Sequence, residues 1–331
     1  MRYLGSCPNR EKAINFMSQI LDVSQNLGLN VFERGWLSCN NILFIGKHNT
    51  ALVDTGYCTH ADQTLALVKS SLNGRSLDHI INTHLHSDHC GGNAALQAAY
   101  AGTNGTVKTH IPYGLAKHVT SWDEEALSYK PTGQNCPRFA FQSILRHGDD
   151  VLLGDSKWQV HAAPGHDPHS IILFEPESRT LISADAKWQN GFGAVFQELE
   201  GESAFDEVAQ TFDAIERLNP QTVIPGHGAV FAGEEVQAAL AVARKRLDGF
   251  VQNPLKHTRY AVKVLLKYKL LEVQSIAEST FIDWAKSVPY FDMVRERWFA
   301  EKPIDILVAD YLEDLIAGGA ARREGGLILN V

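Results

Sequence analysis

Between Ile80 and Gly92 the chain passes from a short apolar run straight into His84-Leu85-His86-Ser87-Asp88-His89, followed at once by Cys90-Gly91-Gly92. Histidine and aspartate are the residue types that ligate zinc and similar divalent ions, and four of them fall here within six positions. A merely exposed polar loop gives no reason for three imidazoles and a carboxylate at this spacing. In an extended stretch alternate side chains face the same way, so His84 and His86 can grip one ion. Asp88 and His89, where the chain turns into a helix, can reach a second. The glycines that follow permit close backbone approach at the helix start. Any fold for this chain must therefore set a strand end, a loop and a helix start around metal ions.

The surrounding pattern agrees with that demand. Ile42 to Ile45 and Ala51 to Val53 read as a hairpin across the turn formers Gly46 to Thr50, ending in Asp54-Thr55-Gly56. Leu65, Val68 and Leu72 predict a helix over about 61–72, closed by Asn73-Gly74. His79 to Asn82 predicts a buried strand before the histidine cluster, and the alanine-rich stretch Asn93 to Tyr100 a helix. The second half repeats the grammar. Strands at Trp158 to His161, Ile171 to Phe174, Thr180 to Ser183 and Thr222 to Ile224 lead toward Pro164-Gly165-His166, Asp185 and Pro225-Gly226-His227. Phe205, Val208, Phe212, Ile215 and Leu218 mark one amphipathic helix. Alternation of strands and helices throughout predicts a layered α/β domain. A lone histidine after Pro-Gly is an ordinary turn residue, but His166 and His227 both follow strand ends, with Asp185 at a third between them. Together they complete a site for two ions.

These residues resemble the metallo-β-lactamase superfamily, whose H-x-H-x-D-H signature reads here as His84-Leu85-His86-Ser87-Asp88-His89. The resemblance covers about residues 30 to 250 and implies a four-layer αββα sandwich with metals at one edge between the sheets. It implies that His84, His86 and His166 hold the first metal, that Asp88, His89 and His227 hold the second, and that Asp185 bridges them. It further implies that Asp54, in Val53-Asp54-Thr55-Gly56, orients a ligand imidazole from behind. A metal-bound water has its pKa lowered from 15.7 toward about 7, so the expected reaction is hydrolysis by a hydroxide held between the ions. Asp88 would take up the released proton. Zinc suits the nitrogen-rich set, and iron or manganese also tolerate it.

Within the superfamily, the Thr83-His84-x-His86-x-Asp88-His89-x-Gly91-Gly92 form is similar to hydroxyacylglutathione hydrolases and related thioesterases and lactonases. β-Lactamases of the commonest kind carry Arg where His89 stands, and flavodiiron oxygen reductases carry Glu where His86 stands. The leading expectation is a thioester, ester or lactone hydrolase. A phosphodiesterase or ribonuclease of the same superfamily is the second enzyme reading, and a non-catalytic metal-containing ligand sensor the third. His169 is expected behind the ligands. Trp188, Phe192 and Phe196, in a glycine-bearing stretch after Asp185, are read as substrate-pocket wall, with core packing as the alternative. His48, His60, His79, His110, His118, His147, His161 and His257 lack a partner at ligand spacing.

After about Asn253 the composition turns helical, and a last apolar helix face at Ile304, Leu307, Tyr311 and Leu315 stops at Gly318-Gly319. Ala321 to Glu324 and Leu327 to Asn330 are placed to pair across Gly325-Gly326. The division expected is a catalytic domain over 1–253 and a smaller, winged-helix-like domain over 254–331, serving packing or dimerisation. Winged helices often bind nucleic acid, but Asp305, Asp310, Glu313 and Asp314 on the preceding helix would repel phosphates. A net charge of −8 likewise speaks against nucleic acid or an anionic membrane as partner. The partner expected is a small-molecule substrate, with a homodimer as the oligomeric alternative. No apolar stretch approaches the roughly 20 residues that cross a bilayer, and Glu11, Lys12, Asn15 and Gln19 interrupt the one candidate for a secretory leader, so a cytoplasmic location is expected. The five scattered cysteines, Cys7, Cys39, Cys58, Cys90 and Cys136, include no C-x-x-C pair and are read as free thiols.

Overall fold

The computed structural model describes residues 26–102 and 107–331. Strands β1 (Leu29–Phe32), β2 (Asn41–Ile45), β3 (Thr50–Val53), β4 (His79–Ile81), β5 (Lys108–Pro112) and β6 (Ser143–Leu145) form one sheet in sequence order. Its first three strands run antiparallel and its last three join in parallel. A second sheet has the order β12-β11-β10-β9-β8-β7, from β7 (Asp150–Leu153), β8 (Ser156–Ala162), β9 (Ile171–Glu175), β10 (Thr180–Ala184), β11 (Thr222–Pro225) and β12 (Phe231–Ala232).

Period-two alternation explains the layering. On β2 and β3, Ile42, Phe44, Ala51 and Val53 face inward and meet Trp158, Val160, Leu173, Ile182 and Ile224 of the opposite sheet. Leu43 and Leu52, one residue out of phase, face outward and pack under Val68 and Leu72 of the helix Ala61–Leu72. On the other side Ile172, Phe174, Leu181 and Val223 pack against Ile215 of the helix Phe205–Leu218 and Val236 of the helix Glu234–Gln252. The result is the αββα sandwich. Among the described residues no helix is long and apolar enough to cross a membrane.

The C-terminal region starts where Asn253 breaks the helix Glu234–Gln252 and its side chain accepts from Lys256 N, capping the helix Pro254–Val273 with Pro254 in its first turn. Three more helices follow, Glu278–Ser287, Pro289–Trp298 and Ile304–Ala317. The terminal hairpin, β14 (Ala321–Glu324) and β15 (Leu327–Asn330), turns at Gly325 and Gly326, both at positive φ, and a short β13 (Ser275–Ala277) adds to the outer side of β15. The apolar cluster of this region, with Leu265, Leu266, Leu270, Phe281 and Phe291, also takes in Ala194 and Leu199 from the preceding part of the chain. The two parts share a core.

His257 ties the same junction. Its ring is 1% exposed, lies 5.2 Å from Phe205 and 5.0 Å from Phe250, and its Nε2 accepts from Val195 N at 3.0 Å. Burial, aided by Arg246, lowers its pKa to about 4. Since the folded value lies below the unfolded one of about 6.5, this contribution to stability is complete above the unfolded pKa and is lost as pH falls toward 4. Between pH 7 and pH 5 the metal-free protein is expected to lose roughly 2 kcal/mol more stability than His257→Gln, whose amide oxygen accepts the same N–H without titrating. Denaturant melts at the two pH values check this; equal losses in the two proteins would remove His257 from the account.

Candidate metal centre

Every ligand candidate stands just after a strand end at one edge of the sandwich. His84 and His86 follow β4, Asp88 and His89 lie in the single helical turn Ser87–Cys90, His166 follows β8, Asp185 follows β10 and His227 follows β11. The backbone is bent to place them. Asp54 and Ala184, neither a glycine, adopt φ of 55° and 46°, and the β10–β11 register shifts between Ile182 and Ala184, just before Asp185. Two glycines leave necessary room: a Cβ on Gly226 would overlap Asp185 Oδ1, and one on Gly193 would overlap the His166 ring.

The side chains converge as two groups. Ligand atoms of His84, His86 and His166 lie within 4.8 Å of one another, and so do those of Asp88, His89, Asp185 and His227. Asp185 stands between the groups, with Oδ2 3.6 Å from His166 Nε2 and 3.7 Å from His227 Nε2, and Oδ1 3.3 Å from His89 Nε2. Asp88 Oδ2 lies 3.2 Å from His227 Nε2. Buried His84 Nε2 and His89 Nε2 have no hydrogen-bond partner among the described residues. Buried polar nitrogens normally have one, so these two orphans, aimed into a cluster of carboxylates and imidazoles, fit a pair of divalent cations.

Protonation states suit the same occupant. Burial, with neighbouring imidazoles, holds His84 well below the usual histidine range, burial lowers His86, and burial with His86 beside it takes His166 to about 4, so all three are neutral donors at pH 7. For Asp185 burial works the other way, but His227, His89 and His166 outweigh it and keep the carboxylate ionised.

Asp54 works from behind. Its Oδ2 receives His89 Nδ1 at 2.8 Å and Thr83 Oγ1 at 2.6 Å, and its Oδ1 receives Thr83 N at 2.9 Å. That fixes the tautomer that leaves His89 Nε2 free for a metal. Asp54→Asn is expected to weaken metal binding by about 10 to 100-fold, read by competition with a chromogenic chelator; wild-type affinity would show that His89 needs no orientation. Cys39 also approaches His89 and Asp54, but burial raises its thiol to about 11, leaving a protonated and weak ligand.

Trp36, Asn40 and Asp167 carried no sequence signal, whereas Trp188 was expected in the pocket but not against Asp185. Trp36 stacks on the His227 ring at 5.2 Å with planes 6° apart. Asn40 Nδ2 donates to Pro225 O at 3.0 Å and Gly228 O at 2.7 Å, clamping the loop that presents His227. Trp188 Nε1 donates to Asp185 Oδ1 at 3.2 Å, and Asp167 comes within 3.9 Å of His86. These groups lie in irregular loops, where no periodicity marks a residue.

A cavity of about 360 Å³ opens beside the metal ligands. Trp188 and Phe196 line it. Phe192 does not: Gly191 at φ 140° turns it inward, where it is 1% exposed and packs edge-on against Phe212 and Phe250. His169 stands exposed on the cavity wall beside Gly114 rather than behind a ligand, and its backbone N donates to Asp167 Oδ1. The expectation that the C-terminal region only packs or dimerises also needs correction, because Val264, Leu265, Tyr268 and Tyr290 form part of the wall. Tyr268 OH lies 3.2 Å from Ser87 Oγ, next to Asp88. Cys90 is a buried thiol, 3.2 Å from Tyr129 OH and 3.8 Å from Cys136 Sγ; Cys7 lies outside the described residues.

The profile of the Metallo-beta-lactamase superfamily matches residues 34–227, more than half of the chain and all seven ligand candidates. The chain belongs to that superfamily. Among relatives, it is 26% identical over 184 residues to a hydroxyacylglutathione hydrolase of Rhodospirillum rubrum, covering 55% of this chain and 58% of that protein. A probable metallo-hydrolase YflN of Bacillus subtilis is 26% identical over 236 residues, 63% of this chain and 88% of that one. The chain spans about half to three fifths of the length of the first hydroxyacylglutathione hydrolases it matches. In fold it is similar to a metallo-beta-lactamase family protein of Thermus thermophilus, with a TM-score of 0.52 at 17% identity over 92% of this chain and 99% of the other. A beta-lactamase domain protein of Burkholderia ambifaria gives 0.51 at 17% identity, covering 92% of each. This superfamily member thus shares its fold with proteins that match its C-terminal region as well as its sandwich.

Proposed function

We propose that this protein is a hydrolase of small thioesters, esters or lactones that works with two divalent metal ions, zinc by preference of its ligands. The observation that carries the reading is the meeting of the two ligand groups at the edge of a largely apolar cavity. His84, His86 and His166 would hold one ion, Asp88, His89 and His227 the other, and Asp185 would serve both. When bound, such ions supply Lewis acidity and bring the pKa of a water toward neutrality.

The protein's own groups then do the rest. Ionised Asp185 and the neutral imidazoles of His84, His86 and His166 are donors in metal-binding form, and Asp54 fixes the direction of His89. The Asp88 side chain is 14% exposed against 7% for Asp185 and lines the cavity, so it is the carboxylate placed to accept a proton as an acyl group is transferred. Leu85, Leu115, Leu127 and Phe196 keep bulk water from the acyl portion.

The test is elemental analysis of the purified protein together with turnover of a thioester, a lactone and a phosphodiester, before and after chelation. Close to two metals per chain with chelator-sensitive thioester or lactone cleavage is expected. Phosphodiester cleavage alone would favour a nuclease, metal without turnover a sensor, and absence of metal would break the reading.

A further inference from the structure

The charge on the cavity wall narrows the substrate. Setting aside the metal ligands, three carboxyl groups face the cavity, those of Asp167, Glu200 and Glu202. Among the described residues no lysine or arginine reaches the wall. The Arg297 guanidinium lies against Gly201, which separates the two glutamates in the chain, and Arg297 is not one of the lining residues. Glu200 and Glu202 feel each other directly: burial and the Glu202 charge both push the Glu200 carboxyl up. Beyond the metal site itself, a group bearing carboxylates would pass the exposed Glu200 and Glu202 and approach the buried Asp167, with no lysine or arginine among the described lining residues to receive it.

Much of the remaining wall is apolar, with Ser128, Thr132, Gln134, His169 and Gln197 interspersed, and part of it comes from the C-terminal region. Val264 and Leu265 on the helix Pro254–Val273 and the ring of Tyr290 line it together with Leu85, Leu127 and Phe196, and the Phe196 and Tyr290 rings meet edge-on at 5.8 Å. The Tyr268 hydroxyl is spoken for: Ser87 Oγ donates to Gln134 Oε1 at 2.5 Å, so the Tyr268 hydroxyl donates to Ser87. It presents ring rather than a free donor. A volume of about 360 Å³ lies within the range of small-molecule sites, roughly 300 to 1,000 Å³.

We infer that the substrate has an apolar acyl portion seated against the C-terminal helices and a leaving portion without net negative charge, so that glutathione thioesters are disfavoured. This inference rests on the hydrolase reading above and names the substrate class of that same site. The reaction is ordinary hydrolysis: water adds to the acyl carbon, the bond from acyl carbon to sulfur or oxygen breaks, and the leaving atom departs with a proton.

The full-length, metal-loaded protein should be given two thioesters sharing one acyl group, S-butanoyl-N-acetylcysteamine, which is uncharged, and S-butanoylglutathione, which carries two carboxylates and one ammonium. The uncharged thioester is expected to have a kcat/KM about tenfold or more higher, with the gap narrowing as salt is raised. Lengthening its acyl group from acetyl to butanoyl should raise kcat/KM about fourfold per methylene. The double variant Glu200→Lys with Glu202→Lys should bring the two thioesters toward equality. The milder Glu200→Gln with Glu202→Gln should move the ratio the same way, which guards against a reversal that perturbs the fold near Arg297. Preference for the glutathione thioester, or a ratio that neither pair of substitutions moves, would overturn the inference while leaving the hydrolase reading intact. Failure to cleave any member of the thioester, ester and lactone series with two metals bound would overturn both.

Discussion

Asp185→Ala is expected to cost at least about a thousandfold in kcat/KM, some 4 kcal/mol of transition-state stabilisation, and to lower metal content below two per chain. The carboxylate is the group that faces both ligand clusters, within 3.7 Å of His166 and His227 and 3.3 Å of His89. Loss of a residue that only orients a ligand typically costs about 10 to 100-fold, and a residue reaching two clusters should exceed that. The fold should survive. Asp185 is paired with imidazoles rather than with the core, and Gly226 beside it leaves space that alanine does not strain. Metal content, turnover and a circular dichroism melt of the chelated protein together decide the matter. A variant that keeps two metals and near wild-type turnover would remove Asp185 from its role.

The second large effect concerns residues 254–331. Deleting them is expected to give an aggregating chain rather than a smaller working enzyme. Ala194, Leu199 and the partly buried Phe196 would lose their cover, and exposing a large apolar side chain costs roughly 1.5 to 3 kcal/mol. Hydrogen bonds across the junction would go as well, among them Val195 N to His257, Tyr57 OH to Glu272 at 3.0 Å, and Tyr268 to Ser87. Each buried group left unpaired costs about 1 to 3 kcal/mol. Against a typical total stability of about 5 to 15 kcal/mol this is most of the margin. Soluble yield and activity of the 1–253 fragment test it. A soluble fragment that turns over substrate at the rate of the full chain would show that the wall contributed by the C-terminal helices is dispensable.

What could be read from the sequence had a local cause. The helix Ala61–Leu72 and the helix Phe205–Leu218 follow from apolar spacing, and the core strands from apolar runs between turn formers. The candidate ligand set was visible because metal chemistry restricts residue type as well as position. Strands β1, β5, β6, β7, β12 and β13 were not anticipated. β13 is three residues long, and such a segment is a strand only because β15 lies beside it, which is tertiary context rather than propensity. The same limit applied to the pocket. Phe192, Trp188 and Phe196 look alike in sequence, and only the left-handed turn at Gly191 sends the first inward. The stretch Gly102 to Phe139 offered no pattern either, yet it contributes Leu115, Leu127 and Thr132 to the wall. Nor did the tail reveal its wall-forming helix, because the charge pattern that stands out belongs to its acidic last helix while Val264, Leu265 and Tyr268 belong to its first.

The cavity has two authors. One side is the sandwich edge, which carries the ligand candidates; the other is built by two C-terminal helices that carry none of them. Selection can therefore act on them at different tempos. Under the proposed acyl hydrolysis, lineages can change acyl preference by exchanging side chains at Val264 or Tyr290 while the ligand candidates stay fixed, and a gene encoding this arrangement can acquire a new substrate without first losing the old reaction.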